Sequence, residues 1–385
     1  MGKRALIMER LKTFREGRWR ELFDSAMLAA CPVVRPLTYN SFDQDPDAIR
    51  LARCRTRCKV GKWSHGLACL TAGELAWPSE AMVQSLWGKH PTSVGEIPEW
   101  VRSLDIVAPQ RPVLTVDILA RAIHTAARAS AAGPLGWLTE HLRDTFLTEP
   151  SSLVHLLEVF NQWVAGQVPE RARPSLAASN LVGLSKPNGD VRPVAIGEVL
   201  PHILARVLCI TLTPAMASHF QPCHQLDIGT SAGMEILTHA FCSALTSHTD
   251  WCALQIDVAN AFNSFHRRAM FKGLRESPFL GLIPFLGIFY RTPSDLYLRA
   301  GPFVETLALA RGSRQGDLLG PFLFAFTQQL VMEPFTREFA DLLFLSYADD
   351  TYILGPAARL LEAFGVLREQ LQGVGLEVQA PKCRF

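Results

Sequence analysis

The sequence has no low-complexity block, no cysteine framework and no excess of charge of either sign. Charged residues make up 19% and hydrophobic residues 48% of the 385 positions. That balance excludes a mainly disordered chain and allows a large core, built from two or three structural units. No apolar run reaches the ~18 to 20 residues of a membrane span. The longest, Phe279 to Tyr290, contains Pro284 and two glycines and reads as buried core. Leu6 stands where an acylation start needs Ser or Thr. Glu9 and Glu16 interrupt the basic first turns, so a secretory signal is not expected. The nine cysteines are odd in number and scattered, which fits free thiols in a reducing compartment. The expectation is a soluble, globular, intracellular protein of nucleus or cytoplasm, with no membrane partner.

What charge there is sits unevenly. Residues 1 to 110 carry 16 basic and 12 acidic side chains, against 22 and 24 in the remainder. Two patches supply the excess, Lys3 to Arg20 and Arg50 to Lys62. In the second, Arg50, Arg53, Arg55, Arg57, Lys59 and Lys62 have no acid among them. Such a cluster can neutralise phosphates and make binding salt-dependent, or it can be a solvated helix face. Both readings stay open on the sequence.

Apolar spacing predicts helix over residues 1 to about 30, and two or three short helices over 47 to 88 punctuated by Gly61 and Pro78. Four prolines between Pro91 and Pro112 make that segment the best linker candidate. Helical patterns follow at 115 to 130 and 137 to 165, separated by Gly133-Pro134-Leu135-Gly136. From about residue 180, short Val/Ile/Leu runs alternate with helix-length patterns, as in a mixed α and β fold. Cys54, Cys58, His65 and Cys69 could be laid out as zinc ligands. Their intervals match no common finger, however, and Ala52, Leu67, Ala68 and Leu70 would cover small buried thiols. Core cysteine is the better reading.

Four segments carry chemistry. In Leu345-Ser346-Tyr347-Ala348-Asp349-Asp350-Thr351-Tyr352-Ile353-Leu354, apolar runs flank two adjacent acids, which predicts a β-hairpin with the acids at its turn. Adjacent carboxylates repel, and bound cations keep them ionised. A hard cation such as Mg²⁺ takes one or two carboxylates plus substrate phosphates. Cys252, Leu254 and Ile256 share one face of a strand that ends at Asp257, with Val258 beside it, and Asn260-Ala261-Phe262 can then start a helix. Arg311-Gly312-Ser313-Arg314-Gln315-Gly316-Asp317 is a glycine-punctuated loop entering an apolar helix (Leu318 to Leu330). Its backbone and Gln315 amide can approach a ligand closely. Leu184-Ser185-Lys186-Pro187-Asn188-Gly189-Asp190-Val191-Arg192-Pro193 is a β-turn with a cation on each side, suited to phosphate. Each alone has an ordinary structural explanation; their joint occurrence in this order does not.

The ordered set Lys186…Arg192-Pro193, Asp257…Phe262, Gln315-Gly316-Asp317, Tyr347-Ala348-Asp349-Asp350 and Gly375-Leu376…Lys382 resembles reverse transcriptases, particularly those of LINE-type (non-LTR) retrotransposons. The likeness covers about residues 120 to 385 and includes Ala132-Gly133-Pro134…Gly136, which is similar to an N-terminal extension of that family's fingers. It implies an α+β right-hand polymerase, with fingers at about 112 to 250 and an RRM-like palm sheet with helices at about 251 to 385. A mainly helical region of unknown role, residues 1 to 110, precedes it.

By the same resemblance, Asp257 and Asp349 hold two divalent metals (Mg²⁺ or Mn²⁺), with Val258 in the metal set and Asp350 completing the acidic cluster. Lys186 and Arg192 clamp the triphosphate. Gln315 and Gly316 line the nucleotide pocket and template strand. Phe262 is the steric gate against a ribose 2′-hydroxyl. Lys382 is the general acid for pyrophosphate, and Tyr347 with Ala348 meets the primer end. The implied partners are an RNA template, a DNA primer and deoxynucleoside triphosphates.

The sequence departs from the family at Leu318 and Gly320, where relatives carry Pro and Ser, and at Asn263, often Asp in LINE-type enzymes. Phe385 follows Lys382 by three residues, where the resemblance implies the rest of the palm and a thumb. A chain without them is expected to grip duplex weakly and to have low processivity. The expected function is RNA-directed DNA polymerisation; the alternative is a catalytically silent, nucleic-acid-binding remnant. Phe262 and the Tyr-Ala-Asp-Asp form disfavour an RNA-templated RNA polymerase.

Overall fold

The computed structural model describes residues 46–59, 61, 63–71, 80–91, 97–103, 111–128, 130–146, 149–185, 189–300 and 303–385, with a few positions before residue 22. Lys186 and most of the helix expected over residues 1 to 30 lie outside them. From residue 46 the described elements are α1 (Pro46–Lys59), α2 (Trp63–Thr71), α3 (Glu80–Gly88) and α4 (Trp100–Ser103). Then come α5 (Val116–Thr125), α6 (Thr139–Phe146), α7 (Leu153–Val164), α8 (Arg173–Ala177), β1 (Ser179–Ser185), β2 (Val191–Gly197), α9 (Val199–Phe220) and α10 (Gly233–Ser247). Next are β3 (Trp251–Ile256), α11 (Ala261–Ser264), α12 (Arg267–Arg275), α13 (Ile283–Tyr290), β4 (Ser294–Ala300) and β5 (Phe303–Leu309). The last are α14 (Gly320–Glu338), β6 (Leu343–Tyr347), β7 (Asp350–Pro356) and α15 (Ala357–Gly373). This is an α+β fold with a helical N-terminal region.

The strands form two sheets. One has the order β2-β1-β4-β5 and the other β3-β7-β6. Both β6–β7 and β3–β7 are antiparallel. Alternation along these strands sends Leu254, Ile256, Phe344 and Ile353 into the main core and Leu345 and Leu354 to the opposite face. The main core is closed by α12, α14 and α15, the opposite face by α10 through Leu237 and Phe241. Aromatic rings lock α14 in place: Phe322 and Phe326 lie 4.5 Å apart, and Phe326 sits 5.0 Å from Phe220 of α9. Truncating a buried ring of this kind costs about 3–5 kcal/mol.

In the first sheet β1 pairs with β4 in parallel, so the hairpin β4–β5 joins the hairpin β1–β2 across more than a hundred residues of chain. Helix α3 packs on the same sheet: Met82 and Leu86 share a core with Leu181, Val191 and Ala195. The Lys89 ammonium meets the Asp190 carboxylate and the Val191 carbonyl. Residues 80–90 are thereby fastened to the hairpin that carries Arg192.

Two expectations need amending. The thiols of α1 are tucked away, Cys54 being buried with its sulfur 4.0 Å from that of Cys58, but Leu67 and Leu70 do not cover them. Those leucines are exposed, and Gly66 makes the close approach instead, since a Cβ there would stand 2.6 Å from the Cys58 sulfur. The His65 side chain falls outside the described residues. The second concerns apolar length, because α9 is long and apolar enough to cross a membrane by length and composition. It behaves as a core helix: Ile203, Leu204, Val207 and Leu208 are fully buried, and Arg206 on its other side donates to the Thr125 hydroxyl at 3.0 Å.

Candidate active site

The acids lie where β3 and β7 end together. Tyr347 pairs with Asp350, leaving Ala348 and Asp349 as a two-residue turn. Ala348 has φ 53°, in the left-handed region. Two-residue hairpin turns need that conformation because it matches the strand twist, and glycine or asparagine normally supplies it. An alanine there costs about 1–2 kcal/mol, so the surroundings must hold it. They do so through Gln225, whose amide accepts from the Ala348 N–H at 3.2 Å and donates to the Ala348 carbonyl at 3.1 Å.

Register brings Asp257 to the same place. The last pair of the β3–β7 ladder is Ile256 with Thr351. One step further sets Asp257 opposite Asp350, and directly opposed residues present their side chains on one face. The Asp350 carboxyl is correspondingly pushed above the usual carboxylate range, first by burial and then by the charges of Asp349 and Asp257. Mutual repulsion at one strand end is the electrostatic situation that a divalent cation relieves, and all three donors are hard oxygens, so the set fits Mg²⁺ or Mn²⁺. Among the described residues, no three His, Cys, Asp or Glu side chains are already drawn together as a ligand cage. Asp349 and Asp350 are solvent-exposed at the turn.

The C-terminal segment runs beside the end of β3. Gln379 donates its N–H to the Asp257 carbonyl at 2.8 Å, Ala259 donates to Glu377 at 2.8 Å, and the Asp257 N–H points to the Cys383 sulfur at 3.4 Å. The bridge between Val258 and Val378 thus uses carbonyl and N–H groups of Asp257 and Ala259. Strand alternation leaves the Val258 carbonyl on the opposite edge, towards β7. Lys382, exposed in the turn Ala380–Lys382, belongs to the same segment.

The loop 311–317 wraps the start of α11. Ser313 donates its N–H to the Phe262 carbonyl at 2.7 Å, and Gly312 donates to Phe265 at 2.9 Å. Gly312 has φ 58°, and a Cβ there would run into the Phe262 carbonyl. Gln315 accepts from the Ala195 N–H at 2.8 Å, which ties Gln315 and Gly316 to β2, three residues beyond exposed Arg192. Phe262 is half-buried with its ring 5.3 Å from that of Phe324.

Two buried arginines hold this loop. Arg267 donates to the carbonyls of Gly312, Tyr290, Thr292 and Leu309, and burial pushes its guanidinium down to about 10. Arg314 donates to the Ala177 carbonyl and lies 3.5 Å from the Asp317 carboxylate. Burial opposes its charge, but Tyr290 and Asp317 outweigh that and hold it above its usual range. The Tyr290 hydroxyl donates to Asp317.

Asp257, Tyr347, Ala348, Asp349 and Asp350 thus meet where β3 and β7 end, with Val258 next to them. Phe262 opens α11 against the loop 311–317, which carries Gln315 and Gly316 and is hydrogen-bonded to β2, the strand of Arg192, while Lys382 lies in the C-terminal segment. The Gly133 element meets the far end of β2, where the Leu135 N–H donates to Glu198 at 2.6 Å and Asn180 donates to the Ala132 carbonyl at 3.1 Å. The sequence reading overlooked Gln225, Asp227 and the two arginines. Asp227 accepts from the Tyr347 hydroxyl, and burial, followed by Asp349, raises its carboxyl despite that bond. A signal existed for part of this, since Gln328 interrupts the apolar run Phe322–Thr327 and polar Ser346 sits inside a buried strand.

The mixed helix-and-sheet architecture behind a helical N-terminal region is consistent with the α+β fingers-and-palm fold of a polymerase. A family model described as reverse transcriptase (RNA-dependent DNA polymerase) matches residues 184–385, more than half of the sequence, and the chain belongs to that family. The retrotransposable element SLACS 132 kDa protein of Trypanosoma brucei gambiense is 23% identical over 257 residues, covering 66% of this chain. The aligned part is 21% of that relative, so the chain spans about a fifth of its length.

Proposed function

We propose that this chain is the RNA-directed DNA polymerase core of a LINE-type retrotransposon, joining a deoxynucleotide to a primer 3′-hydroxyl on an RNA template. The observation that carries the reading is the β3–β7 register, which sets Asp257 opposite Asp350 although 92 residues separate Asp257 from Asp349. Divalent cations held by Asp257, Asp349, Asp350 and the Val258 carbonyl would lower the 3′-hydroxyl pKa and stabilise charge on the attacking and leaving oxygens. The chain's own groups do the rest. Arg192, with Lys186, binds the triphosphate, and the backbone at Gln315 and Gly316 lies along the incoming nucleotide. The Phe262 ring excludes a 2′-hydroxyl, Tyr347 and Ala348 support the primer end, and Lys382 gives its proton to departing pyrophosphate. The fingers are proposed at about 112–250 and the palm at about 251–385, with β4–β5 joining the fingers sheet.

Primer extension by the purified chain tests this, on an RNA template with Mg²⁺ or Mn²⁺ and with deoxy- and ribonucleotides in parallel. Deoxynucleotide incorporation that disappears in both Asp257→Ala and Asp349→Ala is expected. A folded chain that binds RNA but does not extend would make it a silent remnant. Activity surviving in both variants would overturn the metal assignment.

A further inference from the structure

The segment between α9 and α10 lies against β6 as an extra edge. Ser346 donates its N–H to the His224 carbonyl at 3.0 Å, Leu226 donates to Ser346 at 2.8 Å, and Gln225 bridges Ser346 in parallel. This edge presents Gln225, only 4% exposed, to the back of the acidic turn. Its Oε1 accepts from the N–H groups of Ala348 and Asp227, both at 3.2 Å. Its Nε2 is shared among the Ala348 carbonyl at 3.1 Å, Gln328 Oε1 at 2.8 Å and the Ser346 hydroxyl at 3.2 Å. The amide orientation follows from these partners, because the Ala348 N–H needs an oxygen and its carbonyl needs a donor. Gln328 in turn donates to the hydroxyls of Ser346 and Thr351, at 3.2 and 3.1 Å. All four side chains are buried, and none of them bears charge at neutral pH.

We propose that Gln225 is the positioning residue of the catalytic turn, its amide gripping both backbone groups of Ala348 so that a left-handed alanine aims Asp349 at the reaction centre. Its side chain hydrogen-bonds to no carboxylate and acts through the backbone of the turn. Both central residues of the turn are short, so nothing else in it can supply the missing glycine's freedom. Gln328, Ser346 and Thr351 serve to hold the amide, on the strands either side of the turn and on the helix beneath. The inference rests on the polymerase reading for its effect on rate, but not for its effect on the turn itself.

The test uses the full chain with poly(rA), oligo(dT) and dTTP, and two readouts. Gln225→Met keeps the volume and removes every hydrogen bond. Gln225→Glu keeps the acceptor and loses the donor, and it replaces the Met variant if that fails to fold. A drop in kcat of about tenfold or more is expected, with KM for dTTP within about twofold, as for a reacting group displaced without loss of substrate contact. Adding Ala348→Gly should recover at least about threefold of the lost kcat, since glycine takes a left-handed φ freely. A hole in the core would not be mended by that change. The second readout is amide hydrogen exchange over residues 346–351, which should quicken in the Gln225 variant. Unchanged exchange in a folded variant overturns the proposal whatever the activity, and so does a rise in KM alone. Should the unaltered chain fail to extend, the polymerase reading fails, and exchange alone still decides whether Gln225 holds the turn.

Discussion

Two loops face the candidate site, and they are held by opposite means. The turn at Ala348–Asp349 is gripped by neutral amides and hydroxyls, while the loop 311–317 is gripped by buried charge, Arg267 and Arg314 with Asp317. The difference follows from what each loop carries. A guanidinium beneath Asp349 and Asp350 would satisfy the carboxylates itself and compete with a divalent cation, whereas amide dipoles fix the backbone and leave the charge uncompensated. The loop 311–317 is proposed to present backbone and an amide rather than carboxylates, so buried charge can hold it from within. Arg267 alone reaches four carbonyls, in α13, the turn after it, β5 and the loop 311–317, which a shorter neutral side chain could not do.

The largest expected effect separates these two designs. Arg267→Met strands three buried carbonyls and a partly buried one, and urea unfolding should show a loss of about 3 kcal/mol or more. Gln328→Met in the neutral network should lose only about 1–2 kcal/mol. Equal losses would mean that the charges contribute nothing particular to the loop.

Next in size is the sugar preference proposed for Phe262. Phe262→Ala should raise ribonucleotide use by about tenfold or more in competitive extension, the range in which pocket sterics discriminate. An unchanged preference would move the gate elsewhere. A smaller effect concerns the front of the chain. Arg53→Glu, Arg55→Glu and Lys59→Glu together should weaken RNA binding and lower the slope of log affinity against log salt by about 2. If neither changes, the face is only solvated.

The smallest is a pH effect on stability. Burial lowers the pKa values of His90, His219 and His266, with nearby cations adding to it at His90 and His266. Their folded pKa values thus lie below the ordinary imidazole value of about 6.5, so the unfolded chain binds more protons in that window. Stability should be fully present above about pH 6.5 and fall as pH drops through the folded values, seen as a lower thermal midpoint at pH 5 than at pH 7. A higher midpoint at pH 5 would contradict the burial of these imidazoles.

Much of the site was legible because it rests on local pattern. Strand alternation around Asp257 and around Asp349–Asp350 put these acids at strand ends, the two or three short helices expected over 47–88 are present as α1 to α3, and the apolar Phe279–Tyr290 segment is largely buried. What stayed hidden depends on long-range partners. The parallel pairing of β1 with β4 and the grip of Gln225 on Ala348 leave no local trace, since each joins segments more than a hundred residues apart. The burial of Arg267 and Arg314 leaves no local trace either, since it depends on partners brought together by the fold. Leu67 and Leu70 were assigned to the interior on composition, and a glycine turned out to make the contact instead.

The central claim is that Asp257 and the Asp349–Asp350 turn form one cation site. The most direct measurement is hydroxyl-radical cleavage of the purified chain by Fe²⁺ bound in place of Mg²⁺. The account predicts cuts near residue 257 and near 349–350, both suppressed by excess Mg²⁺ and both lost in Asp349→Ala. Cleavage at only one of the two segments, or cuts that persist in Asp349→Ala, would contradict it.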